Sequence, residues 1–243
     1  MASVYVFRVI FLLSCLLLPL HVAVESKCPT SFDCGYLGKI QFPWTTSEYS
    51  DCGLFVIQGC DGPNVPKTLP SNKGTTLEVL TVSHSVSAES TIVIRDLGLH
   101  DRLRNRNCEA FTSNYTLPLT FPSPLASFKM TNIVLFFRCN RTLHVRNPGS
   151  FFNFTCGDSD VIYYDRTYPE SNQSHSLLLS SSCSVIQFPV KDLPDTYDPF
   201  TFIASSVVLQ VRLSDDCSKC HYDKAGHCQL DPNRIFYCEG GTI

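Results

Sequence analysis

The chain has 243 residues, including 13 Cys, 15 Pro and 12 Gly, and only 17% of its side chains are charged against 44% apolar. That length makes one large domain or two ordinary ones, and low charge with 12% aromatic residues excludes a largely disordered chain. The net charge of −3 lacks the basic surplus that neutralises phosphates, so nucleic acid is excluded as a dedicated partner.

The first element is a leader. Met1 to Arg8 carries a positive charge, and an apolar run from Val9 to Leu20 follows, broken by Pro19. Ala23 and Ser26 supply small residues for cleavage. The run is too short and too Pro-interrupted for the roughly 20 apolar residues of a spanning helix, so 1–26 reads as a secretory signal peptide. Cleavage removes Cys15 and leaves twelve cysteines, an even number: Cys28, Cys34, Cys52, Cys60, Cys108, Cys139, Cys156, Cys183, Cys217, Cys220, Cys228 and Cys238. The expectation is complete pairing in an oxidising compartment, with connectivity left open.

Downstream, apolar residues alternate with a period of two. Leu77 to Val82 alternates but changes parity between Val79 and Leu80, which predicts a bulge. Ile92 and Ile94 form the next strand. Ile133 to Phe137 is a continuous apolar run, predicted as a strand buried on both faces. Ile186, Phe188 and Val190 alternate, and so do Val207, Leu209, Val211 and Leu213. Pro, Gly, Asn and Ser punctuate these runs, and no amphipathic helix of 12 or more residues shows. The predicted class is all-β and disulfide-rich, with two cysteine-rich β modules. They span 27–108 and 133–243, joined by a Pro-rich linker over 109–132. The modules hold five and seven cysteines, both odd, so full pairing requires at least one bridge between them or a misplaced boundary.

Sequons begin at Asn114, Asn140, Asn153 and Asn172, all between Cys108 and Cys183. Each is an N-glycan acceptor in a secreted chain. The middle of the protein therefore reads as glycan-shielded.

The motifs from Cys28 to Cys34-Gly35, Phe42-Pro43-Trp44 and Cys52-Gly53-Leu54-Phe55-Val56-Ile57-Gln58-Gly59-Cys60 resemble the galacturonan-binding module of plant wall-associated receptor kinases. The likeness is greatest to the leaf-rust-resistance type of receptor-like kinase. Ser85 to Leu97 and Cys108 resemble that module's closing strands and last cysteine. Leu135-Phe136-Phe137-Arg138-Cys139-Asn140, Leu209 to Leu213, Cys217 to Cys228 and Phe236-Tyr237-Cys238 resemble the companion C-terminal domain of the same kinases, as a more divergent copy. Together the likenesses cover nearly all of the mature chain. They imply an extracellular ectodomain whose ligand is cell-wall pectin or an oligogalacturonide, with a co-receptor protein as a further partner. In the resembled family a membrane span and a kinase follow; neither is present before Ile243.

A uronate polymer calls for cations. Arg102, Arg104 and Arg106 lie two apart and, if extended, share one face at roughly 7 Å per step. Guanidinium groups bind carboxylates bidentately. The competing reading is a solvated loop neutralised by Asp96, Asp101 and Glu109. From Cys28 to Cys108 there are seven basic and eight acidic residues, so polyanion affinity must come from a local patch. Trp44, the only Trp, either plugs the core over a disulfide or presents a flat face to a sugar.

Cys217-Ser218-Lys219-Cys220-His221 has the haem-attachment spacing, and Cys217, Cys220, His227 and Cys228 have a zinc-like one. Both need reduced thiols, so neither cofactor nor metal is expected. No nucleophile elbow, metalloprotease helix, phosphate loop or kinase signature occurs, and an enzyme is not expected. The predicted function is a secreted or extracellular polysaccharide-binding ectodomain, placed in the apoplast or cell wall. It lies at the plasma membrane if the full product continues into a span. The alternative is a protein- or peptide-binding receptor module in plant defence, and a third reading is a secreted hydrolase or inhibitor.

Overall fold

Two antiparallel sheets carry the alternating segments. The computed structural model describes residues 28–71, 75–84, 89–112, 115, 124–141, 151–164, 183–192 and 196–240. The predicted signal peptide and the sequons at Asn114 and Asn172 lie outside these residues.

Near the start, β1 (Phe32–Asp33) pairs with β2 (Lys39–Ile40), and β3 (Trp44–Thr46) runs parallel to β4 (Phe55–Ile57). Then come β5 (Thr68–Leu69), β6 (Leu77–His84), β7 (Glu89–Asp96) and helix α1 (Leu97–Arg104). They are followed by β8 (Ala126–Met130), β9 (Ile133–Asn140), β10 (Phe151–Cys156), β11 (Ser159–Tyr164) and β12 (Ser184–Pro189). A short helix, Pro199–Phe202, leads into β13 (Ser206–Leu213). Another, Asp215–Ser218, leads towards the closing hairpin of β14 (His227–Leu230) and β15 (Phe236–Glu239).

One sheet has the order β5-β6-β7-β13-β8, the other β10-β11-β9-β12. In the first, Ile92 pairs with Leu209 and Ile94 with Val207. All four are at most 1% exposed. Burying side chains of this size is worth about 1.5–3 kcal/mol each, so the β7–β13 seam is a main source of stability. The parity change in β6 is a bulge. Val79 faces Ile94 and Thr81 faces Val93, leaving Leu80 as the extra residue.

Phe136, Phe188, Tyr163 and Ile186 of the second sheet pack into the same core as the β7 and β13 residues. On that sheet's other face a small cluster forms from Phe137, Cys139, Phe151 and Ile162. The β9 run is thus buried on both faces only at Phe136 and Phe137. Leu135 remains 48% exposed, because the satellite cluster does not reach it.

The predicted linker is partly a strand. Ala126–Met130 is β8 and pairs with β13, as Leu213 with Ala126 and Leu209 with Met130. The first sheet therefore draws strands from both predicted modules, and its hydrogen bonding does not part at the 108/133 boundaries. The reason is burial: Leu125 and Ala126 lie in the core, a role that the preceding prolines mask in the sequence.

All twelve described cysteines pair, as Cys28–Cys52, Cys34–Cys60, Cys108–Cys156, Cys139–Cys183, Cys217–Cys228 and Cys220–Cys238. Cys108–Cys156 is the inter-module bridge that parity required. The fold is all-β and disulfide-rich. Six bridges suit an extracellular, oxidising compartment. Among the described residues no helix is long and apolar enough to cross a membrane.

Candidate functional site

The arginine stretch is a helix, not an extended ladder. Asp96 caps it, its carboxylate accepting from the Leu99 N–H at 2.9 Å. Leu99 and Leu103, four apart, bury one face. The helix ends as Asn105 N–H donates to the Asp101 carbonyl and Arg106 takes a positive φ of 50°. Helical rotation therefore separates Arg102 from Arg104, and the turn that ends the helix carries Arg106 elsewhere.

Arg104 turns into a cleft of about 310 Å³. Arg95 of β7, His100 of α1 and Lys191 after β12 line it as well. Phe200, Ile203 and Ser205 close the other wall. Arg102 does not line it; this residue is half-buried, and its Nε is buried without a hydrogen-bond partner. Arg106 is spent elsewhere: its Nη1 donates to Asp198 Oδ2 at 2.8 Å, and its guanidinium lies 5.1 Å from the Phe200 ring centre. Asp198 also caps the helix Pro199–Phe202 by accepting from Phe200 N–H. The Arg106 pair thus locks α1 to that helix and positions one wall of the cleft.

Three cations, Arg95, Arg104 and Lys191, line the cleft, and among the described residues no carboxylate does. Arg95 is partly balanced by Glu78, at 3.3 Å and 38% side-chain exposure. His100 Nδ1 lies 3.1 Å from Ser205 Oγ, tying α1 to the entry of β13. The volume falls at the small end of ligand sites, roughly 300–1,000 Å³, enough for a short acidic group. Guanidinium and ammonium donors fit a carboxylate or sulfate there. Of the three arginines the sequence singles out, only Arg104 lines this cleft; Arg95, His100 and Lys191 are not among the residues it singles out. The recoverable signal was the Asp96 cap with Leu99 and Leu103, which places His100 and Arg104 on one helical stripe.

A larger cleft of about 650 Å³ lies among the first cysteines and is lined by Asp33, Glu48, Asp61 and Tyr49. Its carboxylates have the wrong sign for a uronate.

Trp44 takes the core alternative. It is 0% exposed and packs on Phe55 at 5.1 Å between ring centres, so it has no face to offer a sugar. Phe55 in turn meets Phe128 of β8 edge-on at 5.0 Å. The aromatic motif thus anchors the N-terminal strands on the large sheet.

The haem-like motif is consumed by disulfides, because Cys217 and Cys220 pair with Cys228 and Cys238. His221 stacks on Phe42 at 3.9 Å, and burial pushes its pKa below the usual histidine value. Gly226 is required in this knot: a Cβ there would lie 2.6 Å from Cys238 Sγ. Of the sequons, Asn140 and Asn153 are described, and both are exposed on strands.

No protein-family model, curated protein or solved structure matches the chain.

Proposed function

We propose that this protein is an extracellular binding module for an acidic polysaccharide of the pectin type, acting at the wall or as the outer part of a receptor. The observation that carries this reading is the cleft lined by Arg95, Arg104 and Lys191, with no carboxylate among the described residues that line it. The overall charge of −3 repels polyanions weakly, so affinity rests on that local patch and falls with salt. Changing Arg104 and Lys191 together to Ser is expected to lower oligogalacturonide retention about 10-fold or more, since charge-assisted bonds are worth roughly 1.5–3 kcal/mol each. A neutral oligosaccharide serves as the control. Retention equal to that of the unaltered protein would reject the site.

The acidic cleft favours a second reading, a module that holds a basic peptide. Capture of a Lys/Arg-rich peptide that is abolished by Glu48→Gln and Asp61→Asn, with no oligogalacturonide retained, would select it.

A further inference from the structure

An edge strand exposes unpaired N–H and C=O groups and invites pairing with another chain. The two large sheets have four edges. β5 is only two residues long. β8 carries an exposed Lys129 next to its last residue. On β12, the Gln187 carbonyl accepts from Tyr115 N–H at 3.1 Å, Val190 bridges to Ile203, and Pro189 removes a donor. Each is a recognised way to blunt an edge.

Among the described residues β10 shows none of these devices. It is a six-residue strand, Phe151-Phe152-Asn153-Phe154-Thr155-Cys156, without charge or proline. Among the described residues its only strand partner is β11. Three phenylalanines in six uncharged residues make a segment prone to self-pairing. Its only exposed side chains are Asn153 and Thr155, the two recognition residues of a sequon. Asn153 stands opposite Ile162, at the middle of the strand.

From this we infer that Asn153 carries an N-linked glycan and that the glycan serves as the guard of the β10 edge. The inference rests on passage through the secretory pathway but is independent of the ligand reading. In the transfer, the Asn153 Nδ2 attacks C1 of a lipid-pyrophosphate-linked oligosaccharide. The C1–N bond forms, the C1–O bond to pyrophosphate breaks, and the amide gives up one proton. The folded strand engages part of the acceptor: Thr155 Oγ1 donates to Asp160 Oδ1 at 3.0 Å, and Asp160 also pairs with Arg141 at 3.8 Å. Attachment therefore precedes the closing of β10 on β11. Once in place, a hydrated branched sugar at mid-strand blocks lateral approach where other edges use charge, shortness or cover.

The test uses the full chain secreted from eukaryotic cells. Glycopeptide mass spectrometry is expected to find Asn153 occupied. Asn153→Gln is expected to shift the secreted protein to larger species by light scattering, at concentrations where the unaltered protein keeps its size. Asn153→Lys, which replaces sugar by an edge charge, is expected to restore that size without the glycan. An unmodified Asn153, or a Gln variant of unchanged size, overturns the inference. If the Gln variant is retained in the cell, secretion of the Lys variant supports the edge role and equal retention of both overturns it. Oligogalacturonide retention is expected to be the same in all secreted monomers.

Discussion

Lys67 is a buried cation held, among the described residues, by carbonyls and not by a carboxylate. It is 0% exposed, and its Nζ donates to the Gly59 carbonyl at 2.6 Å and to that of Gly62. The Tyr36 ring centre lies 5.4 Å away, and the Tyr36 hydroxyl donates to the Val79 carbonyl. The ammonium thus ties the loop carrying Cys60 to the edge of the large sheet. Gly59 has φ +83° and meets the Pro66 carbonyl where a Cβ would stand, so this loop cannot relax by taking up a side chain. Lys67→Met fills the space but leaves two carbonyls unsatisfied, each costing about 1–3 kcal/mol. Loss of apolar-like packing is small, so a net loss of roughly 2–4 kcal/mol is expected in denaturant titration. A change within about 0.5 kcal/mol would show the lysine to be an ordinary surface-type residue. Nothing in the sequence distinguishes Lys67 from the other lysines, because its burial depends on where Gly59 and Gly62 fold back.

At the scale of elements, strands were legible and the longest helix among the described residues was not. β7 and β13 bury every second residue, which is the pattern written in Ile92, Ile94 and Val207 to Leu213. The bulge at Leu80 was legible for the same reason, since one extra residue shifts the parity of a face. Helix α1 escaped because arginines two apart in sequence suggest a strand face. The apolar pair that decides its shape, Leu99 and Leu103, spans a single turn. Ala126–Met130 escaped because its neighbours are proline-rich, and partner choice in a sheet is settled by tertiary burial rather than by local preference. The cap makes α1 testable. Asp96 is 5% exposed, and its side chain holds the Leu99 N–H. Asp96→Ala is expected to cost about 1–2 kcal/mol. It also frays the turn that aims His100 and Arg104, so oligosaccharide retention should weaken along with melting temperature. Asp96→Asn keeps the acceptor and should restore most of both. Equal losses in Ala and Asn variants would mean that the charge, not the cap, matters.

At the scale of the molecule, the two cysteine sets are stitched into one core. β13 of the second half lies between β7 of the first and β8, and Phe136 and Phe188 share the core with Ile92 and Ile94. The basic cleft depends on this arrangement, since Arg95 and Arg104 come from one half and Lys191 and Phe200 from the other. Odd cysteine counts announced a cross-link, but which pair made it was a matter of spatial approach. Cys108–Cys156 closes a span of 48 residues. Cutting it by changing both cysteines to Ser removes about 4 kcal/mol of loop-closure entropy from the stability. The β7–β13 hydrogen bonds and the shared core remain, so the halves should not come apart. Calorimetry of the double variant is expected to show one cooperative transition at lower temperature, with calorimetric and van't Hoff enthalpies in agreement. Oligosaccharide retention below that transition should persist, because the cleft walls are set by β-pairing and the Arg106–Asp198 lock. Two separate transitions would show that the halves are independent modules held by the disulfide alone, and the shared-core account of the cleft would then fail.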